Sequence, residues 1–165
     1  MNTKYMQLAL DLAQKAYSHG DVPVGAVIVK DGKIIAKAYN KKTKLKDSTK
    51  HAEIMAISKA SKKLKDFRLE GCEMYVTFEP CVMCLGAILS ARIEHVYFGA
   101  YDKRFESVKY VEGMPFNHQA EFVGGVMETE CSALLTKFFK EIREWLKLGH
   151  NYNQRYIQKI SHAMQ

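Results

Sequence analysis

His51-Ala52-Glu53 and, about thirty residues later, Pro80-Cys81-Val82-Met83-Cys84 are the stretch from which the rest of the chain can be read. Two thiols at i and i+3 of a helix start point to the same side and can grip one soft metal ion. His51 supplies a third ligand, and one nitrogen with two sulfurs suits Zn²⁺. Three protein ligands leave the fourth tetrahedral position to water, as catalytic zinc sites do and closed structural sites do not. Glu53, two residues past His51, is close enough to handle that water's protons without binding the metal. Each residue taken alone has a plainer explanation. A lone His at a helix start is ordinary, Glu53 suits the dipole of a first turn, and Pro80 suits a helix start. A structural zinc site would want a fourth ligand, and neither Cys72 nor Cys131 has the spacing for it.

Composition sets the frame. With 165 residues, one compact domain spanning 1–165 is expected, long enough to bury a core. No signal-peptide pattern opens the chain and no apolar run approaches bilayer length, so a cytoplasmic protein without a membrane partner is expected. Thiols stay reduced there, which favours metal binding over a disulfide for the C-x-x-C pair. Cys72 and Cys131 read as buried filler. The formal charge of +7 permits a polyanionic partner. Lys41, Lys42, Lys44, Lys46 and Lys50 crowd the approach to His51. A second basic set, Lys137, Lys140, Arg143, Lys147, Arg155 and Lys159, lies in the last part of the chain. A solvated surface is the ordinary explanation for any one of them.

Working outward, residues 4–18 carry Leu8, Leu12, Ala16 and Met6, Ala9, Ala13 at helical spacing. Gly20 closes that helix. Residues 24–29 and 34–39 form a hairpin about Asp31-Gly32. The Lys-rich stretch 41–50 reads as a loop in which Ser48 or Thr49 caps the next helix. That helix runs over about 49–64, with Ile54, Ile57 and Ala60 or Ser61 inward. Strand 72–78, helix 81–90 and strand 95–99 follow, then a polar, aromatic-rich loop to about Gln119. Residues 121–127 read as the last strand and 128–148 as a long helix burying Leu134, Leu135, Phe138, Ile142 and Trp145. The order α-β-β-α-β-α-β-β-α implies a single sheet with helices on both faces.

The H-x-E…P-C-x-x-C combination is the signature of the zinc nucleobase deaminases. The chain also carries Asp21-Val22-Pro23-Val24-Gly25-Ala26-Val27, Asn40, Thr77-Phe78-Glu79 before Pro80, Arg92-Ile93, Phe98-Gly99-Ala100, Asp102, Asn117-His118 and Glu130-Cys131-Ser132-Ala133-Leu134-Leu135. Over about 4–145 it resembles the bacterial tRNA-specific adenosine deaminases, which convert adenosine to inosine at the wobble position of the anticodon. The resemblance implies a three-layer α/β/α cytidine-deaminase-like fold with a central mixed five-stranded sheet. It implies one Zn²⁺ per subunit on His51, Cys81 and Cys84, with Glu53 as the catalytic proton shuttle. It further implies a base pocket from Asn40, Pro23, Val24, Ala52, Asp102 and Asn117, a homodimer, and a tRNA anticodon stem-loop as partner, with tRNA-Arg the expected substrate. Phe78 is expected in the core. Lys44, Lys46, Arg104, Lys109, Lys140 and Arg143 are candidates for RNA phosphates, contacts that position a loop without reading its sequence.

Departures from the family pattern are local. Ser48 and Lys50 stand where the family commonly has Pro and Ala, and Tyr101 replaces an arginine. Residues 104–110 form a shortened loop, and 149–165 extend past the family's usual end, where Tyr152, Arg155, Tyr156 and Lys159 offer stacking and phosphate contacts. The same zinc and glutamate chemistry serves deaminases of free guanine, cytosine or deoxycytidylate, so a small-molecule substrate is the alternative. A non-catalytic zinc or RNA-binding protein is a third.

Overall fold

A computed structural model of the chain describes residues 2–111 and 114–151. Helix α1 (Thr3–Ser18) leads into the hairpin β1 (Gly25–Lys30) and β2 (Lys33–Tyr39), then α2 (Lys42–Leu45) and α3 (Ala52–Leu64). Next come β3 (Cys72–Phe78), α4 (Val82–Ser90), β4 (His95–Ala100), α5 (Ser107–Val111), β5 (Glu121–Val123) and α6 (Glu128–Lys147). One mixed five-stranded sheet has the order β2-β1-β3-β4-β5. β1 pairs antiparallel with β2 and β3, whereas β3–β4 and β4–β5 are parallel. The parallel pairs need crossovers, which α4 and the segment containing α5 supply.

Central strands β1 and β3 are apolar on both faces, as a sheet covered on both sides requires. One core layer packs Ala26, Ile28, Met74, Val76 and Phe98 against Ala52, Ala56 and Ala60 of α3 and Leu85 and Ile88 of α4. The other packs Val27, Val29 and Tyr75 against Met6, Ala9 and Leu12 of α1 and Cys131 and Leu135 of α6. The three layers are those expected. Small residues set the spacing on the second side: a Cβ at Gly25 would lie 2.0 Å from the Ala9 carbonyl, and one at Gly99 would lie 2.3 Å from Cys131 Sγ. The Tyr17 hydroxyl, at the end of α1, donates to Glu141 of α6.

Several local expectations are corrected. The stretch 41–50 contains a helical turn, because the buried Asp21 carboxylate accepts the Thr43 N–H at 2.6 Å and the Lys44 N–H at 3.4 Å. Neither Ser48 nor Thr49 caps α3. The N-cap is His51, while Thr49 turns back to Asp47. Ala60 faces the sheet as expected, with Ala56 beside it, whereas Ile57 is only half-buried against the core and Ile54 half-buried. Leu8, Leu134 and Trp145 are likewise half-buried, and Cys131 takes the innermost place at the start of α6. β5 stops at Val123, since Gly125 takes a left-handed φ of 83° and turns the chain out of the ladder. The loop after β4 folds into α5. Residues 152–165, with Tyr152, Arg155, Tyr156 and Lys159, lie outside the described residues.

The α5 turn owes its place to Glu79. This carboxylate is 5% exposed, and it accepts the Asp102 N–H at 2.9 Å and the Val108 N–H at 3.0 Å. Removing it strands two amide donors in a buried setting, each worth about 1–3 kcal/mol when unsatisfied. Glu79→Ala is expected to lower unfolding stability by about 1–3 kcal/mol, allowing for water entry. Amide exchange over 102–108 should accelerate while bound zinc is retained. Unchanged exchange across that segment would show that the loop is held by something else.

Candidate active site

Three ligand atoms converge from two helix starts. His51 Nδ1 lies 3.7 Å from Cys81 Sγ and 3.5 Å from Cys84 Sγ, and the two sulfurs are 3.6 Å apart. A tetrahedral ion with ordinary Zn–S and Zn–N bonds puts its sulfurs about 3.8 Å apart and each sulfur about 3.6 Å from the nitrogen. The triangle therefore already has the dimensions of a zinc site, and the group is positioned to bind one metal ion. His51 and Cys81 are the N-cap residues of α3 and α4, and neither uses its side chain to cap its own helix. Both caps are instead turned toward the metal position.

The protonation pattern matches that role. A hydrogen bond from the Cys84 thiol, with another from His51, lowers the Cys81 thiol to about 4. Cys84, donating to Cys81 and buried, is raised. The hydrogen bond to Cys81 also raises His51. That pattern favours the thiolate form at Cys81, and a bound cation would favour it at both sulfurs. Glu53 sits in the first turn of α3, 3% exposed, and burial pushes its carboxyl up to about 6. Its Oε2 is buried with no hydrogen-bond partner among the described residues. A buried carboxylate oxygen of that kind beside three zinc ligands fits a proton-handling group with a water or substrate in reach.

The ligands open on a cavity of about 520 Å³. Its apolar wall is Val22, Val24, Phe78 and Phe139, and its polar wall is Asp21, Asn40, Glu53, Glu79 and Asp102. Asn40 caps α3 from outside the helix, its Oδ1 accepting the Ala52 N–H at 2.8 Å. That bond fixes the amide and turns its NH₂ group, a double donor, to whatever fills the cavity. Pro23 is buried behind this wall and does not line it. Phe78, expected in the core, packs against both core layers and also faces the cavity. Asn117 is exposed and does not reach the cavity, while the neighbouring His118 bonds to the Ile93 carbonyl.

The basic candidates divide. Arg104 grips Asp102 through two bonds of 3.1 Å. Burial works to raise the Asp102 carboxyl, but its bonds from Arg104 outweigh that and lower it. Arg104 and Asp102, with Phe78 and Phe139, continue into a second groove that includes Tyr101, Lys103 and Arg143. Lys109 pairs with Glu106 at 2.6 Å. Lys44, Lys46 and Lys140 are exposed and touch neither depression, whereas Lys42 lies on the cavity rim. Sequence reasoning missed Asp21, Glu79, Phe105 and Phe139. Glu79 and Phe139 carried a signal, the first lying beside Pro80 and the second ending the Phe-Phe pair of α6.

Comparison with known proteins agrees with this geometry. Residues 1–100 match the cytidine and deoxycytidylate deaminase zinc-binding region. The chain is 45% identical over 144 residues to the tRNA-specific adenosine deaminase of Bacillus subtilis (strain 168), covering 85% of this chain and 89% of that one. A solved structure from work on A-to-I editing by tRNA:A34 deaminases superposes with a TM-score of 0.77 at 40% identity, covering 81% of this chain and all of that one. The guanine deaminase of Bacillus subtilis superposes with a TM-score of 0.60 at 37% identity, over 74% and 84% of the two chains. The cofactor of this site is zinc. The chain belongs to the cytidine and deoxycytidylate deaminase family and, within it, to the tRNA-specific adenosine deaminases.

Proposed function

We propose that the protein hydrolyses adenosine to inosine at the wobble position of a tRNA anticodon, releasing ammonia, and that it acts as a cytoplasmic homodimer. The observation that carries the chemistry is the buried Glu53 carboxylate beside an open three-ligand site. Bound zinc supplies Lewis acidity, lowering the pKa of water toward 7. Glu53 takes one proton from the attacking water and gives it to purine N1, then takes the proton of the new C6 hydroxyl and gives it to the amine as the C6–N bond breaks and ammonia leaves. The Asn40 NH₂ group donates to the base or sugar edge, and Val22, Val24 and Phe78 close on the ring. A cavity of about 520 Å³ takes one extruded nucleotide, and an unpaired loop base is cheaper to extrude than a paired one. Arg104, Lys103 and Arg143 stand along the adjoining groove, where flanking phosphates would run. The dimer is supported by Val82 (61% exposed), Met83, Phe105 and Tyr110, an apolar surface beside Cys81 that a second copy would cover.

The primary test is inosine formation in a transcribed tRNA-Arg anticodon stem-loop, run beside free guanine, cytosine and deoxycytidylate. Wobble inosine from the stem-loop alone is expected, and Glu53→Gln should lose at least about 10²- to 10⁴-fold in kcat while keeping its zinc. Turnover of a free base with none on RNA would move the chain to the small-molecule deaminases. No turnover with zinc bound would favour a binding protein.

Since Glu53 acts first as a base, its protonated form is inactive. kcat/KM should therefore fall about tenfold per unit as pH drops below about 6. A profile flat down to pH 4, below the ordinary glutamate range, would remove Glu53 from that role. In sedimentation equilibrium the chain should weigh twice its 18.9 kDa, and Val82→Glu should shift it toward one copy. A wild-type monomer at micromolar concentration would rule the dimer out.

A further inference from the structure

Positive charge is distributed very unevenly in this chain. Residues 33–65 hold eleven lysines and two acids, a formal +9, so the rest of the chain together carries −2 of the total +7. Among the described residues, only Lys50 of the eleven is in an ion pair, with Asp47 at 3.1 Å. These residues share one region, because β2 is an edge strand of the sheet and α3 packs on β2 and β1. Lys59 Nζ donates to the Lys37 carbonyl at 2.8 Å and Lys63 Nζ to the Ile34 carbonyl at 3.3 Å, both on β2. Lys33, Lys37 and Lys62 are exposed around them.

The band is continuous with the cavity. Lys42 lines its rim, and Lys41 precedes it, its ammonium 4.9 Å from the Tyr39 ring. Lys41 lies close enough to Lys59 to add to the burial that lowers the Lys59 ammonium. Like charges held together with few carboxylates among them favour an anion that spans several of them. The seven residues of β2 run about 20 Å from the Tyr39 end, beside the cavity, to Lys33. A row of that length along the sheet edge suits a run of phosphodiesters better than a single phosphate.

We propose that the β2 edge and the outer side of α3 form a phosphate-backbone track for the RNA stem leaving the cavity. Lys41, Lys59, Lys37, Lys63, Lys62 and Lys33 bind successive phosphates beyond the loop nucleotides. The track rests on the tRNA reading for the identity of its RNA, and it adds a surface remote from the base pocket. It contributes affinity and register and no base specificity, because phosphate contacts carry no sequence information.

The test uses the full zinc-loaded chain and the triple variant Lys33→Gln, Lys37→Gln, Lys62→Gln, which leaves the two lysine-to-strand bonds intact. Binding is measured from 50 to 200 mM salt on a full-length tRNA transcript and on the anticodon loop closed by a minimal stem. Each lost phosphate contact flattens the slope of log K against log salt by just under one, so the variant's slope on full tRNA should be shallower by about 2 to 3. Its Kd there should rise about 10²-fold near 0.1 M salt, with binding to the minimal loop and thermal melting unchanged. Equal slopes and affinities on full tRNA would overturn the track, as would equal losses on both RNAs. A wild type that shifts onto anionic vesicles, with no variant effect on RNA, would reassign the band to a membrane surface. Inosine formation on the minimal loop is scored separately. Its absence would overturn the deaminase reading, while a slope difference on full tRNA would still uphold the track.

Discussion

The cavity exists because three buried polar side chains cap helices to which they are not adjacent in sequence. Asp21 caps α2, Asn40 caps α3, and Glu79 holds the start of α5, each by accepting backbone N–H groups. All three also line the cavity. A helix start leaves amide donors without partners, and the usual remedy is a local Ser, Thr, Asp or Asn. Here the donors are met from a distance, so satisfying them pulls three chain segments to one place. The polar wall of the site and the closure of the fold are the same set of hydrogen bonds.

At α3 the distant Asn40 cap frees the N-cap position itself. His51 and Cys81 stand where a capping hydroxyl or carboxylate would ordinarily sit, and both point to the metal position. The N-termini of α3 and α4 bring positive dipole ends toward Glu53 and the Cys81 thiolate, which helps explain a stable anionic cluster within a largely apolar core. Burial nevertheless outweighs the nearby positive groups at Glu53, which leaves its carboxyl near the pH at which it must exchange protons.

Much of this was legible in the sequence, for identifiable reasons. The metal triad is written as close spacing within two helix starts, and the three layers follow from apolar strands alternating with amphipathic helices. What stayed hidden was non-local. Asp21 and Glu79 look like ordinary surface acids until their partners, 22 and 29 residues away, are in place. The α2 turn carries no buried apolar residue and α5 only the Val108 and Val111 pair, too short a period to mark a helix, so both segments read as loops. Phe78 spans two environments, the core and the cavity wall, and an apolar residue at a strand end signals only the first. Asn117 matched a motif, yet its exposed position in this chain is away from the pocket.

The lysine bonds to the β2 carbonyls bear on how the protein keeps to itself in a crowded solution. An open sheet edge is a template for another strand, and edge-to-edge pairing is a route to aggregation. Lys59 and Lys63 occupy carbonyls on that edge, and each brings a charge that another copy of the same edge would have to approach. The opposite edge, β5, is only three residues long before Gly124-Gly125 bends the chain away. Both borders of the sheet are therefore closed to strand addition, one by charge and one by brevity.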